Sequence, residues 1–406
     1  MKYTKRILAL ILALLTIVLT ACSGGSGAGS TTAAPTEAPV DEVTLDKSYV
    51  IVVDKKAHVA TAQAAECIQA TLEYKMGLRK IKIENTDPGS NAIVFRVDET
   101  MEAGTHKVEL KGTSIYLTAQ DPHILLLVTR QLRQLMIDNG AAPVVTKEMC
   151  AQLCGTKDMA TLPFRFLSQN ILFKDIEGGN TVADRRPRFK ALMQEYCPDI
   201  LAVQEHSGGW ETNILNDFGN IYVRHATQGL AIYFRKDRYE IVDKGGFYMS
   251  PTPNVKSQFE GDSGPRSCIW AIAKDKFTDV TTLYINCHPD WNNDTQRALQ
   301  VDVLFEVMGE KMAEYPTILC GDFNTTPDGP VYPRIVKEVK DTYKEAEINL
   351  SEIDYTCHSF GSASSFIDYT FYNHTFKPTL YRIINDMYNG HVSDHYGIFT
   401  DFEYVK

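Results

Sequence analysis

The chain has 406 residues, of which 44% are hydrophobic and 23% charged, a composition typical of globular protein and unlike that of a disordered chain. This length exceeds that of a usual single domain and predicts two domains. The formal net charge of −10 at pH 7 argues against a surface built to gather polyanions.

Residues 1–22 have the pattern of an export signal. Three basic side chains precede an apolar run over 7–19, and this run is too short to favour a membrane-spanning helix. The sequence Leu-Thr-Ala then leads to Cys22 and resembles a bacterial lipobox, in which Cys22 would be lipidated and become the first mature residue. A simple signal peptide with an incidental cysteine is the alternative.

A linker over residues 23–40 follows the signal. It consists mainly of Gly, Ser, Thr, Ala and Pro with almost no charge, which predicts a flexible and partly extended tether. A lipid on Cys22 would therefore hold the folded protein at the outer side of the bacterial cell membrane. Removal of the signal would also take away three positive charges and change the net charge to −13.

Residues 41–154 predict a small α+β accessory domain. A strand over 48–53 leads into apolar residues at helical spacing over 60–72, and further strands, a hairpin and a helix beginning at Asp121-Pro122 follow. This order resembles the non-catalytic N-terminal domain of β-hexosaminidases and α-glucuronidases. The segment carries no His, Asp and Glu constellation of a catalytic type, so a packing role is favoured over the alternative, contact with a glycan.

In residues 160–406, apolar strands repeatedly end in a polar side chain that can bind metal or phosphate. The clearest case is the stretch 320–324, where a strand stops and Asp322 and Asn324 can share one face. Gly321 is expected to let the backbone approach a ligand closely. Other strands of the same design lead to Asn170, Glu205, His288, Asp368 and the pair Asp394-His395.

These segments together resemble the endonuclease/exonuclease/phosphatase superfamily. The motifs that carry the resemblance are, in order, Ser168-Gln169-Asn170, Val203-Gln204-Glu205, Asn286-Cys287-His288-Pro289-Asp290, Gly321-Asp322-Phe323-Asn324, Ile367-Asp368-Tyr369 and Ser393-Asp394-His395. The resemblance implies a four-layer α/β sandwich, in which two packed, mostly antiparallel sheets are flanked by helices and the motif-bearing strand ends meet along one edge. Predicted helices over 184–196 and 295–312 suit the outer layers.

The acidic and amide side chains predict a metal site. A phosphoester hydrolase needs a hard cation to neutralise the phosphate oxygens, and carboxylate and amide oxygens suit Mg²⁺ or Mn²⁺. Glu205 is the expected primary metal ligand. Asn170 is expected beside it on the adjacent strand, bonded to the metal, its water or the phosphate, and Asp394 is expected to approach from the other sheet.

Two histidines are the candidate proton-transfer groups. His395 and Asp368 form an expected base and orienting partner, because a carboxylate raises the pKa of an imidazole and fixes its tautomer. His288 is placed to protonate a leaving oxygen or to stabilise the phosphorane.

The resemblance assigns further roles and also shows departures. It implies that Asp322 orients or deprotonates the nucleophile, that Asn324 holds the phosphate, and that Arg266 corresponds to a phosphate-contacting arginine of some relatives. Leu172 stands where some nucleases of the superfamily have an aspartate, and Trp291 stands where a second histidine is frequent.

The primary interpretation is a metal-dependent phosphodiesterase or phosphatase acting on a small molecule or a lipid headgroup. Residues 161–406 carry 24 Lys and Arg against 34 Asp and Glu, whereas nuclease surfaces usually collect positive charge. An extracellular metal-dependent nuclease is the second hypothesis. The third is a catalytically silent glycan-binding or recognition protein, against which the intact Glu205, His288, Asp322 and His395 argue.

The lipobox interpretation makes a direct prediction about location. Cys22→Ser removes the thiol that would carry the lipid. We expect the variant to leave the membrane fraction or to remain unprocessed, because stable anchoring requires more than one acyl chain and the variant lacks the site that would carry them. Membrane fractionation with mass analysis of the N-terminus measures this. Unchanged membrane association together with cleavage at another residue would refute the lipobox.

Overall fold

The computed structural model of the protein describes residues 40–373 and 376–405. They belong to one compact unit, Pro39–Lys406. The predicted export signal, Cys22 and nearly all of the predicted linker lie outside the described residues. In the part of the chain that is described, no helix combines the length and the apolar character needed to span a membrane.

The N-terminal part is a sheet with helices packed on one face. Its strands are β1 (Glu42–Thr44), β2 (Val50–Val52), β3 (Lys82–Glu84), β4 (Ala92–Val97), β5 (Thr105–Lys111), β6 (Ser114–Ala119), β7 (Val144–Thr146) and β8 (Gly155–Thr156). Its helices are α1 (Val59–Tyr74), α2 (Pro122–Asp138) and α3 (Lys147–Gln152). The strand order β3-β2-β4-β6-β5-β8 forms the accessory sheet, and β1 pairs with β7. Apolar residues of α1 and α2 pack with those of the strands in one buried cluster.

The C-terminal part contains two larger sheets. Its strands are β9 (Phe164–Asn170), β10 (Ile200–Gln204), β11 (Tyr222–Thr227), β12 (Leu230–Arg235), β13 (Tyr239–Tyr248), β14 (Ser267–Asp275), β15 (Thr281–Cys287), β16 (Thr317–Asp322), β17 (Lys340–Asp341), β18 (Ile348–Asn349), β19 (Asp368–Tyr372), β20 (Phe376–Ile384) and β21 (Gly397–Tyr404). Its helices are α4 (Val182–Tyr196), α5 (Trp210–Phe218), α6 (Asp294–Glu314), α7 (Tyr332–Ile335) and α8 (Thr342–Glu345). Sheet I has the order β11-β12-β10-β9-β21-β20-β18, and sheet II has the order β13-β14-β15-β16-β19-β17.

These sheets and helices form four layers. The inner faces of sheets I and II pack on each other through one apolar cluster that includes Phe166 and Tyr284, whose rings are stacked. Helices α4 and α5 cover the outer face of sheet I, and α6 and α7 cover that of sheet II. The predicted four-layer α/β sandwich is therefore confirmed.

Local sequence fixes where the principal helix of sheet I begins. Thr181 and Asp184 form a capping box, in which Thr181 Oγ1 accepts a hydrogen bond from Asp184 N at 3.2 Å and Asp184 Oδ2 accepts one from Thr181 N at 3.1 Å. This reciprocal bonding satisfies backbone donors at the helix start. Helix α4 consequently begins two residues before the predicted Asp184.

Gly321 lies in close contact with the neighbouring strand. Strands β15 and β16 run parallel, with Cys287 opposite Gly321. A Cβ atom on Gly321 would lie 2.0 Å from the carbonyl oxygen of Cys287, and the φ of Gly321 is +150°. The close approach of the neighbouring strand therefore requires a glycine at this position. The expected approach of a ligand to its backbone stays a prediction.

Buried ion pairs join the N-terminal part to the C-terminal part. Arg130 of α2 donates to Asp199 Oδ2 at 3.0 Å, and Arg133 donates from Nε to Glu195 Oε1 at 3.1 Å. Burial by itself would raise the pKa of Asp199, but Arg130 and the neighbouring arginines lower it to about 2. Tyr388 Oη also donates to Glu195, at 2.6 Å. Helix α2 is therefore held to the C-terminal part by buried ion pairs, and loss of one partner would leave a buried charge unpaired.

We expect Arg133→Met to destabilise the protein by about 3–5 kcal/mol, because it leaves the buried Glu195 carboxylate without its main partner. Urea unfolding of the purified protein measures this difference. The control is Arg96→Met, which breaks an exposed ion pair with Asp87 and should cost about 0–1 kcal/mol. Equal effects of the two substitutions would contradict the structural role given to Arg133.

Candidate active site

Strand ends of both sheets meet at one edge of the sandwich. In sheet I, β9 and β10 are parallel neighbours, so Asn170 at the end of β9 lies beside Glu205, which follows β10. In sheet II, Asp322 ends β16 beside the parallel β15, which His288 follows. A cavity of about 380 Å³ opens at this edge, and its lining includes the predicted residues Glu205, Arg266, His288, Asp322, Asn324 and His395.

The buried carboxylate of Asp322 is the centre of the arrangement. Its Oδ2 accepts a hydrogen bond from Asn170 Nδ2 at 3.0 Å and lies 3.5 Å from His288 Nε2 and 3.8 Å from His395 Nε2. Its Oδ1 accepts from Asn324 N at 3.0 Å. Residues from four strand ends therefore converge on one carboxylate.

His395 is paired with Asp368 as predicted from the sequence. Its Nδ1 lies 2.8 Å from Asp368 Oδ2, and both side chains are buried. Burial alone would lower the pKa of His395, but the charges of Asp368 and Asp322 raise it well above its usual value. Burial also raises the pKa of Asp368. The pair leaves Nε2 of His395 facing Asp322, as a base with an orienting carboxylate requires.

Glu205 is half-buried and directs its carboxylate into the cavity. Its Oε1 accepts from Asn170 Nδ2 at 3.3 Å and its Oε2 accepts from Phe173 N at 3.2 Å. The backbone of Glu205 has a φ of +57°, a left-handed conformation that costs roughly 1–3 kcal/mol for such a residue and is concentrated at functional sites. The fold therefore holds this carboxylate in place at an energetic cost.

Asp394 lies on the same sheet as Glu205, and the expectation that it approaches from the other sheet is wrong. Asp394 precedes β21, and β21 pairs with β9 in sheet I. Burial raises the pKa of Asp394, the charge of the adjacent His395 lowers it, and the negative charge of Glu205 raises it, so that the net shift is upward. Among the described residues, neither carboxylate has a basic side chain within 4 Å.

These carboxylates are a suitable environment for a hard cation. Glu205 and Asp394 offer negatively charged oxygen atoms, and oxygen donors are what Mg²⁺ and Mn²⁺ prefer. Asn170 turns its Nδ2 toward Glu205 and Asp322, while its Oδ1 accepts from Leu172 N at 3.1 Å. The direct metal role of Asn170 stays a prediction. Asp322, Asp368 and His395 also lie within metal-binding distance of one another, but His395 Nδ1 is already bonded to Asp368.

The two candidate phosphate-binding side chains lie on the sheet II side of the cavity. Asn324 has a φ of +51°, and its Nδ2 donates to the carbonyl oxygen of Pro289 at 3.1 Å. Arg266 donates to Ser263 Oγ at 3.0 Å and has its Nε 3.6 Å from Asp290 Oδ2. Both side chains are thus held in position by neighbouring loops.

Asp290 is a positioning residue whose role the sequence did not reveal. It is fully buried, and its Oδ2 accepts from Ser263 N at 2.8 Å, which joins its loop to the loop of Arg266. Its backbone N donates to Gln300 Oε1 at 2.7 Å and its carbonyl oxygen accepts from Arg297 at 2.6 Å. The Arg-x-x-Gln pattern of α6 therefore fixes the segment that follows His288.

Several residues of the cavity wall were not predicted as site residues. They are Phe173, Lys174, Ser207, Gln228, Ser267 and Trp291. Most lie in loops, where no hydrophobic period indicates which side chain faces a cavity. The sequence singled out Trp291 only as a departure from the superfamily pattern.

The fold and the site define an enzyme that acts on phosphoester bonds. Residues 167–395, more than half of the chain, match the model of the Endonuclease/Exonuclease/phosphatase family, and the chain belongs to this family. No curated protein matches the chain at a significant level.

Solved structures of low sequence identity share the fold. Proteins of this family from Bacteroides thetaiotaomicron and Bacteroides vulgatus are each 24% identical, with TM-scores of 0.56, and the alignments cover 61% and 60% of this chain and 99% and 100% of theirs. A Bacteroides thetaiotaomicron mannosyl-6-phosphatase is 24% identical with a TM-score of 0.53, over 59% of this chain and 99% of its own.

We expect Asp368→Asn to lower kcat roughly a hundredfold or more, because the imidazole loses its orienting carboxylate. The negative charge of Asp368 raises the pKa of His395, so its removal lowers that pKa and should move the acidic limb of the kcat/KM profile to lower pH. Rates on a chromogenic phosphoester measured across pH test this.

The control for this prediction is Asp341→Asn. Asp341 is also a buried carboxylate of sheet II, and its Oδ2 accepts from Tyr332 Oη at 2.8 Å, outside the cavity wall. Its substitution should leave the pH profile in place. An unmoved acidic limb in Asp368→Asn would contradict the pairing of Asp368 with a catalytic His395.

Proposed function

We propose that this protein is a divalent-metal-dependent hydrolase of phosphate esters, a phosphatase or phosphodiesterase, held by a lipid on Cys22 at the outer face of the bacterial cell membrane. The observation that carries the catalytic part is the single cavity in which Glu205, Asp322 and two histidines face each other. The location rests on the pattern of residues 1–22 alone.

Glu205 would hold the metal ion, with Asn170 and Asp394 beside it. A bound ion would supply countercharge to the phosphate oxygens and to the developing charge of the transition state. Mg²⁺ or Mn²⁺ suits these oxygen donors. Arg266, at the cavity wall, adds a guanidinium that can donate two hydrogen bonds to phosphate oxygens.

The remaining polar groups would move protons. A water molecule gives a proton to the base formed by Asp322 and His395, and its oxygen bonds to phosphorus. The ester bond between phosphorus and the leaving oxygen then breaks, and that oxygen takes a proton from His288. Asn324 keeps the phosphate in line, and Asp368 keeps His395 in the required tautomer.

The dimensions and charge of the site favour a small substrate. A cavity of about 380 Å³ accommodates one phosphorylated group, and the acidic catalytic part repels an extended polyanion. A phosphorylated small molecule or a lipid headgroup is therefore preferred over nucleic acid.

The buried ion pairs of α2 favour a packing role for the accessory part. Arg130 and Arg133 hold it against the catalytic sheets, and a module of this kind supports the fold without touching the substrate. The resemblance of residues 41–154 to domains of carbohydrate-active enzymes favours contact with a glycan. This contact stays a prediction and is not part of the proposal.

We expect EDTA to abolish hydrolysis and added Mg²⁺ or Mn²⁺ to restore it, and we expect Glu205→Gln to lower kcat/KM roughly a thousandfold or more with the fold intact. The substitution keeps the shape of the side chain but removes the charge that binds the cation. Rates on a panel of phosphoesters and circular dichroism of each variant measure this. Glu306→Gln, on the exposed face of α6, is the control, and full activity in EDTA would sink the proposal.

Salt dependence separates a small substrate from nucleic acid. A nuclease that grips about six or more phosphates loses affinity by orders of magnitude as salt rises, because binding releases counterions. We expect only a weak response of KM between 50 and 200 mM salt, roughly that of one or two contacts. Rapid degradation of DNA or RNA with a steep salt slope, and no turnover of small phosphoesters, would make the nuclease hypothesis the right one.

A further inference from the structure

Two aromatic side chains at the active-site cavity are open to solvent. Trp291 is 64% exposed and Phe173 is 41% exposed, and no other aromatic side chain among the described residues is comparably exposed. Both line the cavity that holds the catalytic groups. Phe173 follows β9 of sheet I and Trp291 follows β15 of sheet II, so the two rings enter the cavity from different sheets.

The loop that carries Phe173 is rigidly held. The buried guanidinium of Arg185 donates to the carbonyl oxygens of Leu172 at 2.9 Å and Lys174 at 2.7 Å. Trp210 Nε1 donates to the same Leu172 oxygen at 3.0 Å. The backbone on both sides of Phe173 is therefore fixed, although the ring itself has no buried packing site.

The loop that carries Trp291 is held in the same way. The residue before it, Asp290, is bonded through its backbone to Gln300 and Arg297, and its Oδ1 accepts from Asn292 N at 2.7 Å. Each exposed ring thus stands on a loop fixed by a buried arginine. Because the loops are already fixed, less conformational entropy is lost when a ligand binds to the rings. An exposed ring contributes little to the stability of the fold, so a binding role explains its fixed position better than folding does.

Polar side chains in the same cavity can form hydrogen bonds with the hydroxyl groups of a ligand. Ser207, Gln228 and Ser267 line the cavity and offer hydroxyl or amide groups that can both donate and accept, as a sugar hydroxyl does. The C–H bonds on the face of a sugar ring carry partial positive charge and suit the electron-rich face of Trp or Phe.

We propose that Trp291 and Phe173 form a binding subsite for the ring of a phosphorylated sugar, an inference that rests on the proposed phosphoester hydrolase function of the same cavity. One sugar ring with its phosphate suits the space, whereas a nucleotide adds a second ring system. The rings line a concave cavity beside hydrogen-bonding groups, while insertion into a bilayer requires apolar side chains that project together from a convex surface.

The test compares substrates with and without a ring on the full chain with Mg²⁺. Wild type, Trp291→Ala, Phe173→Ala and the control Val242→Ala are assayed on glucose 6-phosphate, mannose 6-phosphate, glycerol 3-phosphate and adenosine 5′-monophosphate. Val242 is 61% exposed and lies away from the cavity. We expect each aromatic substitution to lower kcat/KM on the hexose phosphates about tenfold or more and to leave that on glycerol 3-phosphate within about twofold.

The other outcomes overturn the proposal. Equal losses on hexose and glycerol phosphates would mean that the aromatic rings do not contact the sugar. A selective loss on the nucleotide would assign the subsite to a base. Loss of binding to phosphatidylglycerol vesicles in Trp291→Ala, without a change on hexose phosphates, would assign the pair to a lipid surface.

A binding measurement separates this inference from the hydrolase proposal. In EDTA, glucose 6-phosphate and mannose 6-phosphate are titrated against the wild-type tryptophan fluorescence, with Trp291→Phe as the control for the signal of that residue. If no phosphoester is hydrolysed but a hexose phosphate changes the fluorescence of Trp291, the hydrolase proposal fails and the subsite stands. If the enzyme hydrolyses phosphoesters, but hexose phosphates neither change the signal nor lose kcat/KM in Trp291→Ala and Phe173→Ala, the subsite is refuted and the hydrolase stands.

Discussion

The buried carboxylate of Asp322 sets the constraint on which the site depends. A charged group in the interior is costly unless it is fully hydrogen-bonded and paired, and Asp322 finds its partners in residues from both sheets. Asn170 and His395 come from sheet I, while His288 comes from sheet II. A displacement of one sheet relative to the other would take Asn170 and His395 away from this carboxylate. The geometry of the candidate active site therefore depends on the packing of the two sheets.

Buried polar side chains hold the sheets in this relation beneath the cavity. Asn286 of β15 donates across the sandwich to the carbonyl oxygens of Val203 and Ala231, and Gln204 donates to its Oδ1 at 2.8 Å. Such a network specifies one alignment of the two sheets, because a shift between them would leave buried hydrogen-bond donors without acceptors. Arg185 and Arg297 extend the same principle to the loops, since each converts flexible backbone into a fixed wall. Apolar packing alone would supply stability without this precision.

Particular residues show how far the sequence could be interpreted and where it could not. The strand-end motifs indicated the candidate site residues, because a short apolar run followed by Asp, Asn, Glu or His is a local pattern. The sandwich was implied by the superfamily resemblance that these motifs carry. The pairing of His395 with Asp368 was also anticipated. The side from which Asp394 approaches was predicted wrongly, since the position of β21 next to β9 depends on contacts across the whole chain. The sequence predicts that Gly321 lets a ligand approach the backbone. It did not reveal that a Cβ atom at this position would collide with the Cys287 carbonyl oxygen of the neighbouring strand.

The sequence by itself determined the order of strands and helices, the chemical character of the candidate site residues and the excess of acidic charge, because these follow from local periodicity and composition. The tertiary structure alone decided which side chains share a cavity. Phe173 and Trp291, far apart in the chain, line one cavity only because two sheets bring their loops to the same edge. The burial of Asp290 and the ion pairs of Arg133 depend on the same long-range packing. Distances between residues remote in sequence are set by the packing of layers, and no short stretch of sequence encodes them.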